Sequence, residues 1–235
     1  MSKVFRFRFF KYLLIAMLAA ASPATQADGA DSTILVLGDS LSAAYGIPRE
    51  QGWVALMQQR LDQQQPGLYR VINASISGET TSGGRSRLQQ LLAQHTPDMV
   101  LLQLGGNDGL RGLPVRELRQ NLSAMIESSL QSGARVALLG IMIPPNYGPR
   151  YTQEFRESYQ LLAKQYQLAL VPFLLEGVAG NADLMQEDGL HPAAVAQPIL
   201  LENVWRALAP QFKLIQRDQG KKSVSGSRAI PAASR

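Results

Sequence analysis

Five short apolar runs recur along the chain, and the longer stretches between them carry apolar residues at helical spacing. The runs cover residues 33–37, 69–74, 99–104, 135–141 and 168–173. Strands that are apolar on both faces and alternate with helices form parallel sheets covered on both sides. Right-handed crossovers then predict a three-layer α/β/α fold, with the order 2-1-3-4-5 that is common for five strands.

Both ends of the chain differ from this central part. Residues 1–27 begin with four positive charges, continue with an apolar run and end in small residues, which is the layout of a secretory signal peptide. The run is about half the ~20 residues that span a bilayer, so we expect cleavage after Ala27 rather than an anchor. A periplasmic or secreted protein follows. Residues 213–235 lack periodicity and are rich in Lys, Ser, Gly and Arg, so we expect an unstructured tail.

The formal net charge of +5 is concentrated at these two ends. Four positive charges precede Asp28 and the tail carries six Lys or Arg and one Asp, so residues 28–212, the predicted domain, have a net charge of −4. We therefore expect no nucleic-acid partner. The chain has no Cys, and it lacks a phosphate-binding loop and a dinucleotide glycine fingerprint. We expect no cofactor, no metal, no stable membrane insertion after signal removal, and a monomer.

Polar and glycine-rich segments follow the predicted strands. Ser40 follows strand one, Gly78 strand two and Asn107 strand three, while His191 ends the loop after strand five. Ligands of such sheets bind beyond the carboxyl ends of the strands. Strand one lies between strands two and three in the predicted order, so we expect these positions to share one crevice.

Ser40 and His191 are the candidate nucleophile and general base of an acyl transfer. The chain has two histidines, and His95 ends a predicted helix, where an interaction with the helix C-terminus is the simpler interpretation. Asp188 precedes His191 by three residues and can orient its imidazole. Pro192 suits the first position of a final helix, predicted over 192–210.

An oxyanion could be held by the backbone N–H groups of Ser40 and Gly78 and by the Asn107 amide. Each residue alone has a plainer interpretation, since Ser and Asn cap helices and Gly ends strands. Their expected convergence on one crevice favours catalysis. Asp39 is expected to support the turn rather than take part in the chemistry, and Asp108 is not assigned to the catalytic set.

Four blocks carry these residues: GDSLS at 38–42, SISGET around Gly78, GGND at 105–108 and DGLH at 188–191. Together they resemble the SGNH (GDSL) hydrolase family, closest to its exported bacterial thioesterase I, lysophospholipase and arylesterase group. The resemblance implies a flavodoxin-like fold, a cofactor-free serine mechanism, and hydrolysis of acyl-CoA thioesters, lysophospholipids and aryl or short-chain esters. It also implies that the loop after strand four lines the acyl-chain pocket, with Ile143, Pro145 and Tyr147 as candidates. An ordinary Pro/Gly loop is the alternative.

Two other functions stay open from the sequence. A polysaccharide O-deacetylase of the same family would have an open, polar groove. A periplasmic binding module without catalysis would need a dead triad, which conflicts with the intact Ser, Gly, Asn and His set.

Overall fold

A five-stranded parallel sheet in the order β2-β1-β3-β4-β5 forms the centre of the computed structural model, which describes residues 32–227. The strands are β1 (Ser32–Gly38), β2 (Tyr69–Asn73), β3 (Met99–Gln103), β4 (Arg135–Leu139) and β5 (Ala169–Val171). The α-helices are α1 (Trp53–Gln64), α2 (Thr81–His95), α3 (Gly106–Leu110), α4 (Val115–Gln131), α5 (Pro149–Tyr166) and α6 (Gln197–Ser227). The predicted fold class and strand order are confirmed. The predicted signal peptide lies outside the described residues.

Helices cover both faces of the sheet. On one side α1 packs against α6, and on the other α4 packs against both α2 and α5. The two central strands, β1 and β3, are buried at every residue, whereas the edge strands β2 and β5 are partly exposed. Burial on both faces explains the continuous apolar runs in the two strands, residues 34–37 in β1 and 99–102 in β3.

The strand register brings the ends of β1, β2 and β3 to one edge of the sheet. Gly38 at the end of β1 is aligned with Gln103 at the end of β3. The loop after β2 is tied to the same place, because the Ile76 N–H donates to the Gly38 carbonyl at 3.0 Å. The segments that follow these strands therefore meet beside the end of β1.

The start of the last helix differs from its prediction. The sequence predicts Pro192 at the first helical position, but α6 begins at Gln197, after a short 3₁₀ turn at Ala194–Ala196. Pro192 instead pairs with Met185 in an antiparallel bridge. The bridge holds the segment around Pro192 in an extended conformation, so the helix starts later.

The end of that helix also differs. The sequence predicts an unstructured tail from residue 213, but α6 continues to Ser227. Leu208, Phe212 and Ile215 are all buried, and they recur at the spacing of one helix face. This periodicity continues through Pro210 and favours helix over coil. The domain boundary placed at residue 212 stays a prediction.

Candidate active site

Ser40, His191 and Asp188 form one hydrogen-bonded chain at the carboxyl edge of the sheet. The Ser40 Oγ lies 2.8 Å from His191 Nε2, and His191 Nδ1 lies 2.6 Å from Asp188 Oδ2. The structure thus brings together the three residues that the sequence selects. A hydroxyl, an imidazole and a carboxylate in this order let the imidazole accept the hydroxyl proton while the carboxylate stabilises the resulting cation.

Ser40 lies in a turn that directly follows β1. The turn covers residues 40–46 and begins with one helical bond, from the Ala43 N–H to the Asp39 carbonyl at 2.9 Å. The helical hydrogen bonding does not continue beyond this bond, because Ala44 (φ 60°) and Gly46 (φ 73°) both adopt the left-handed conformation. The turn leaves Ser40 half-buried, with its hydroxyl directed toward His191.

The loop that carries His191 is held by contacts that no sequence pattern indicates. The Gln186 N–H donates to the His191 carbonyl at 2.8 Å. The Gln186 side chain donates to the carbonyls of Tyr45 (2.8 Å) and Pro192 (3.1 Å). The Tyr45 ring in turn lies 4.5 Å from the His191 ring, centroid to centroid. Tyr45 and Gln186 therefore connect the nucleophile turn to the loop of the base, and no sequence spacing indicates this.

Asp188 is held by its own loop. Its Oδ1 accepts hydrogen bonds from the N–H groups of Leu190 (2.9 Å) and His191 (3.0 Å). The side-chain hydrogen bond from His191, followed by these backbone bonds, lowers the pKa of Asp188 from 3.8 to about 2. The carboxylate therefore stays ionised at neutral pH, which suits an acceptor for the His191 Nδ1 proton.

Gly78 lies in the loop after β2 and Asn107 lies in α3 after β3, so both follow a strand that pairs with β1. Asn107 Nδ2 donates one of its two hydrogens to the Glu79 carbonyl at 3.0 Å. Gly78 has a φ of 78°, and within residues 32–227 neither its N–H nor that of Ser40 donates a hydrogen bond. Arg111, one helical turn after Asn107, donates to the Gly78 carbonyl at 3.2 Å, a contact that the sequence does not indicate. Ser40, Gly78 and Asn107 thus each keep one N–H hydrogen that makes no bond within the described residues. Ser40 and Asn107 line one cleft, whereas Gly78 is not part of its lining.

An apolar cleft of about 560 Å³ opens beside Ser40, His191 and Asn107. Its apolar lining includes Leu110, Ile141, Ile143, Pro145, Phe173 and Leu175. Ile143 and Pro145 are candidates from the sequence. Tyr147, the third candidate, lies outside the lining: its hydroxyl donates to the Leu110 carbonyl at 2.8 Å and its ring stacks on Tyr151. Tyr147 thus supports the segment that forms the cleft wall.

Two kinds of site are not found in the described part of the chain. No group of three or more His, Cys, Asp or Glu side chains between residues 32 and 227 is placed to hold a metal ion. None of the helices in that range is long and apolar enough to cross a membrane.

The chain matches the model of the GDSL-like Lipase/Acylhydrolase family over residues 36–197. It belongs to this family. Esterase TesA of Pseudomonas aeruginosa is 55% identical over 181 residues, which cover 77% of this chain and 90% of that protein. The arylesterase of Vibrio mimicus is 46% identical over 86% of this chain and 97% of its own length. Thioesterase 1/protease 1/lysophospholipase L1 of Escherichia coli K12 is 38% identical, covering 89% of this chain and 95% of that protein.

Solved structures agree with this membership. The crystal structure of TesA has a TM-score of 0.74 and 55% sequence identity, and covers 76% of this chain and 99% of that one. The psychrotrophic esterase EstA from Pseudoalteromonas sp., in a structure inhibited by monoethylphosphonate, has a TM-score of 0.74 and 45% identity. It covers 77% of this chain and 99% of its own. The family that the four sequence blocks indicate is confirmed.

Proposed function

We propose that this chain, a hydrolase acting on esters, cleaves acyl esters and thioesters through an acyl-enzyme formed on Ser40. The single observation that carries the proposal is the chain of hydrogen bonds from Ser40 through His191 to Asp188, opening onto the apolar cleft. Relatives named esterase, arylesterase and thioesterase/lysophospholipase support the substrate class.

In the proposed mechanism His191 Nε2 accepts the Ser40 proton as Oγ attacks the acyl carbonyl. Asp188 holds the ring and stabilises the imidazolium. The N–H groups of Ser40 and Gly78 and the free hydrogen of Asn107 Nδ2 stabilise the oxyanion. His191 then protonates the leaving alcohol or thiol. Water, activated by the same imidazole, releases the fatty acid and restores Ser40.

Lipid-like acyl groups are the proposed substrates, as in acyl-CoA, lysophospholipids and aryl or short-chain esters. The apolar lining of the cleft supports this over polysaccharide O-deacetylation, for which an open polar groove is expected. The intact hydrogen-bonded chain at Ser40 supports catalysis over a binding module without activity.

Export is also part of the proposal. The charged start, the apolar run and the small-residue stretch of residues 1–27 support a cleavable signal peptide and a periplasmic or secreted location.

The test compares the purified protein with Ser40→Ala on p-nitrophenyl esters and acyl-CoAs of increasing chain length. We expect the substitution to lower kcat by at least about 10⁴-fold. Ser132→Ala, at the end of α4, is the matched control and should retain activity. A phosphonate ester should add its mass to the peptide that contains Ser40 in the unmodified protein alone. Equal activity of the unmodified protein and Ser40→Ala, or no activity of either, would refute the proposal.

A further inference from the structure

The residue before the candidate nucleophile is a buried carboxylate that the mechanism above leaves unused. Asp39 is 2% exposed. Its Oδ1 accepts hydrogen bonds from the Leu41 N–H at 3.1 Å and from Gln103 Nε2 at 3.0 Å. One bond therefore fixes the backbone just after Ser40, and the other fixes Asp39 to the central strand β3.

Gln103 closes the network from its other side-chain atom. Its Oε1 accepts from the Ser42 hydroxyl at 2.5 Å and, at 3.4 Å, from the Asp39 N–H. The register that aligns Gln103 with Gly38 allows this approach: a Cβ on Gly38 would lie 2.8 Å from Gln103 Oε1. Residues on both sides of Ser40 are thus held by one fully buried amide.

The second carboxylate oxygen of Asp39 is placed differently. Oδ2 accepts no hydrogen bond within the described part of the chain and lies 3.2 Å from where a Cβ on Gly106 would be. Asp39 and Gly106 both line the cleft. The groups that act on Asp39 electrostatically are His191 from the loop after β5 and Asp108 from α3. Tyr159, from α5, experiences the charge of Asp39 in turn.

Burial has the largest influence on the pKa of Asp39. It raises the pKa of Asp39 from 3.8 to about 6, although the bonds from Leu41 and Gln103 and the positive charge of His191 act in the opposite direction. An asparagine could accept the same two hydrogen bonds through its carbonyl oxygen. The feature that only aspartate supplies here is therefore a negative charge, retained where burial makes it unfavourable for folding.

We propose, given the function proposed above, that Asp39 is a positioning residue that acts through Ser40 and His191. Its hydrogen bonds fix the turn that presents the Ser40 hydroxyl, and its negative charge favours the imidazolium form that His191 takes as Ser40 loses its proton. The charge thereby lowers the barrier to acylation although it opposes folding.

Asp39→Asn is the variant that tests this, because it keeps the shape and one acceptor oxygen while it removes the charge. At pH 8 we expect kcat on a p-nitrophenyl ester, and the rate of phosphonate labelling of Ser40, to fall about 10-fold with KM little changed. The acid limb of the kcat/KM profile should move to lower pH, since the imidazolium loses a favourable neighbour. The melting temperature at pH 8 should rise above that of the unmodified protein, and this gain should shrink at pH 5.

Asp98→Asn serves as the control, because Asp98 accepts a backbone hydrogen bond from Thr33 at the opposite end of the sheet. Its pH profile should match that of the unmodified protein. A purely structural Asp39 would lower kcat and the melting temperature together, and that result, or loss of folded protein, overturns the proposal. An Asp39→Asn pH profile identical to that of the unmodified protein would also overturn it. So would a higher kcat of Asp39→Asn, which would mean that the charge mainly opposes the oxyanion. Failure of the function proposed above is distinct, since the unmodified protein would then be inert.

Discussion

Ser40 and His191 share a hydrogen bond, and the segment of each residue carries an aspartate: Asp39 precedes Ser40, and Asp188 contacts His191. The pKa values of these two carboxylates are shifted in opposite directions. Burial raises the pKa of Asp39 to about 6. Hydrogen bonds, first that with the His191 side chain, lower the pKa of Asp188 to about 2 on a loop where its side chain is 38% exposed. Asp188, beside the general base, therefore keeps its negative charge at neutral pH, whereas Asp39, beside the nucleophile, gains or loses its charge near pH 6.

The comparison also separates two ways of building a site. The support that Asp188 gives to His191 is local, because Asp188 contacts backbone and side-chain groups only two and three residues away. The Ser40 turn is held from a distance, because Gln103 lies 64 positions from Asp39. We therefore expect damage to the loop to affect catalysis without much effect on stability, and damage to the turn to affect both.

The largest effect should come from removing the carboxylate that holds His191. Asp188→Asn leaves His191 without its anionic partner and favours the wrong tautomer, so kcat should fall by about 10³–10⁴-fold. The measurement is kcat for a p-nitrophenyl ester at pH 8, with the unfolding midpoint in urea as a check. Asp183→Asn, in the short 3₁₀ helix at Ala182–Leu184 before the loop, is the matched control and should change kcat little. A loss of less than threefold for Asp188→Asn would show that the loop holds His191 without it.

The second largest effect should come from Asn107, which lines the same cleft as Ser40 and His191. Asn107→Ala removes a donor beside Ser40 and the bond to the Glu79 carbonyl, so kcat should fall about 10²–10³-fold with a smaller change in KM. The rate of phosphonate labelling of Ser40 should fall, whereas affinity for a product fatty acid should not. Equal losses in the labelling rate and in fatty-acid affinity would assign Asn107 to general binding rather than to the oxyanion.

The two aspartates should give opposite slopes when stability is measured against pH. The folded pKa of Asp39 lies above its unfolded value, so the free energy of unfolding should fall by about 3 kcal/mol as pH rises from about 4 to 6. The folded pKa of Asp188 lies below its unfolded value, so its smaller contribution is lost as pH falls from about 4 toward 2. Urea unfolding across this range checks both. In Asp39→Asn the fall between pH 4 and 6 should be absent, and its persistence would assign it to another group.

Local features of the sequence predict the sheet and part of the active site. The strand order follows from alternating apolar runs, and the Asp188–His191 pair follows from a three-residue spacing. Gln103 is a polar residue in an otherwise apolar strand, which indicates a buried partner but not its identity. Nothing local relates Tyr45 to His191, because a contact between distant loops depends on the packed fold.

The sequence does not predict that α6 extends beyond residue 212, and the reason is different. Composition rich in Lys, Ser and Gly predicts coil after residue 212, and Pro210 reinforces that expectation. Burial of Phe212 and Ile215 against the core outweighs local preference, as tertiary packing often does. The apolar pair is visible in the sequence, but its burial depends on the neighbouring surface.

The smallest predicted effect tests whether the two regions are coupled directly. Tyr45 belongs to the Ser40 turn, is half exposed and packs its ring against His191. Tyr45→Ala should lower kcat only about two- to fivefold, because Asp188 still fixes the imidazole and the contact is partly in water. Tyr45→Phe keeps the ring and is the matched control, expected at the level of the unmodified protein. If Tyr45→Ala and Asp188→Asn are combined, the losses should exceed their product, since each contact then lacks the other as a support for the ring. Strictly multiplicative losses would show that the turn and the loop hold His191 independently.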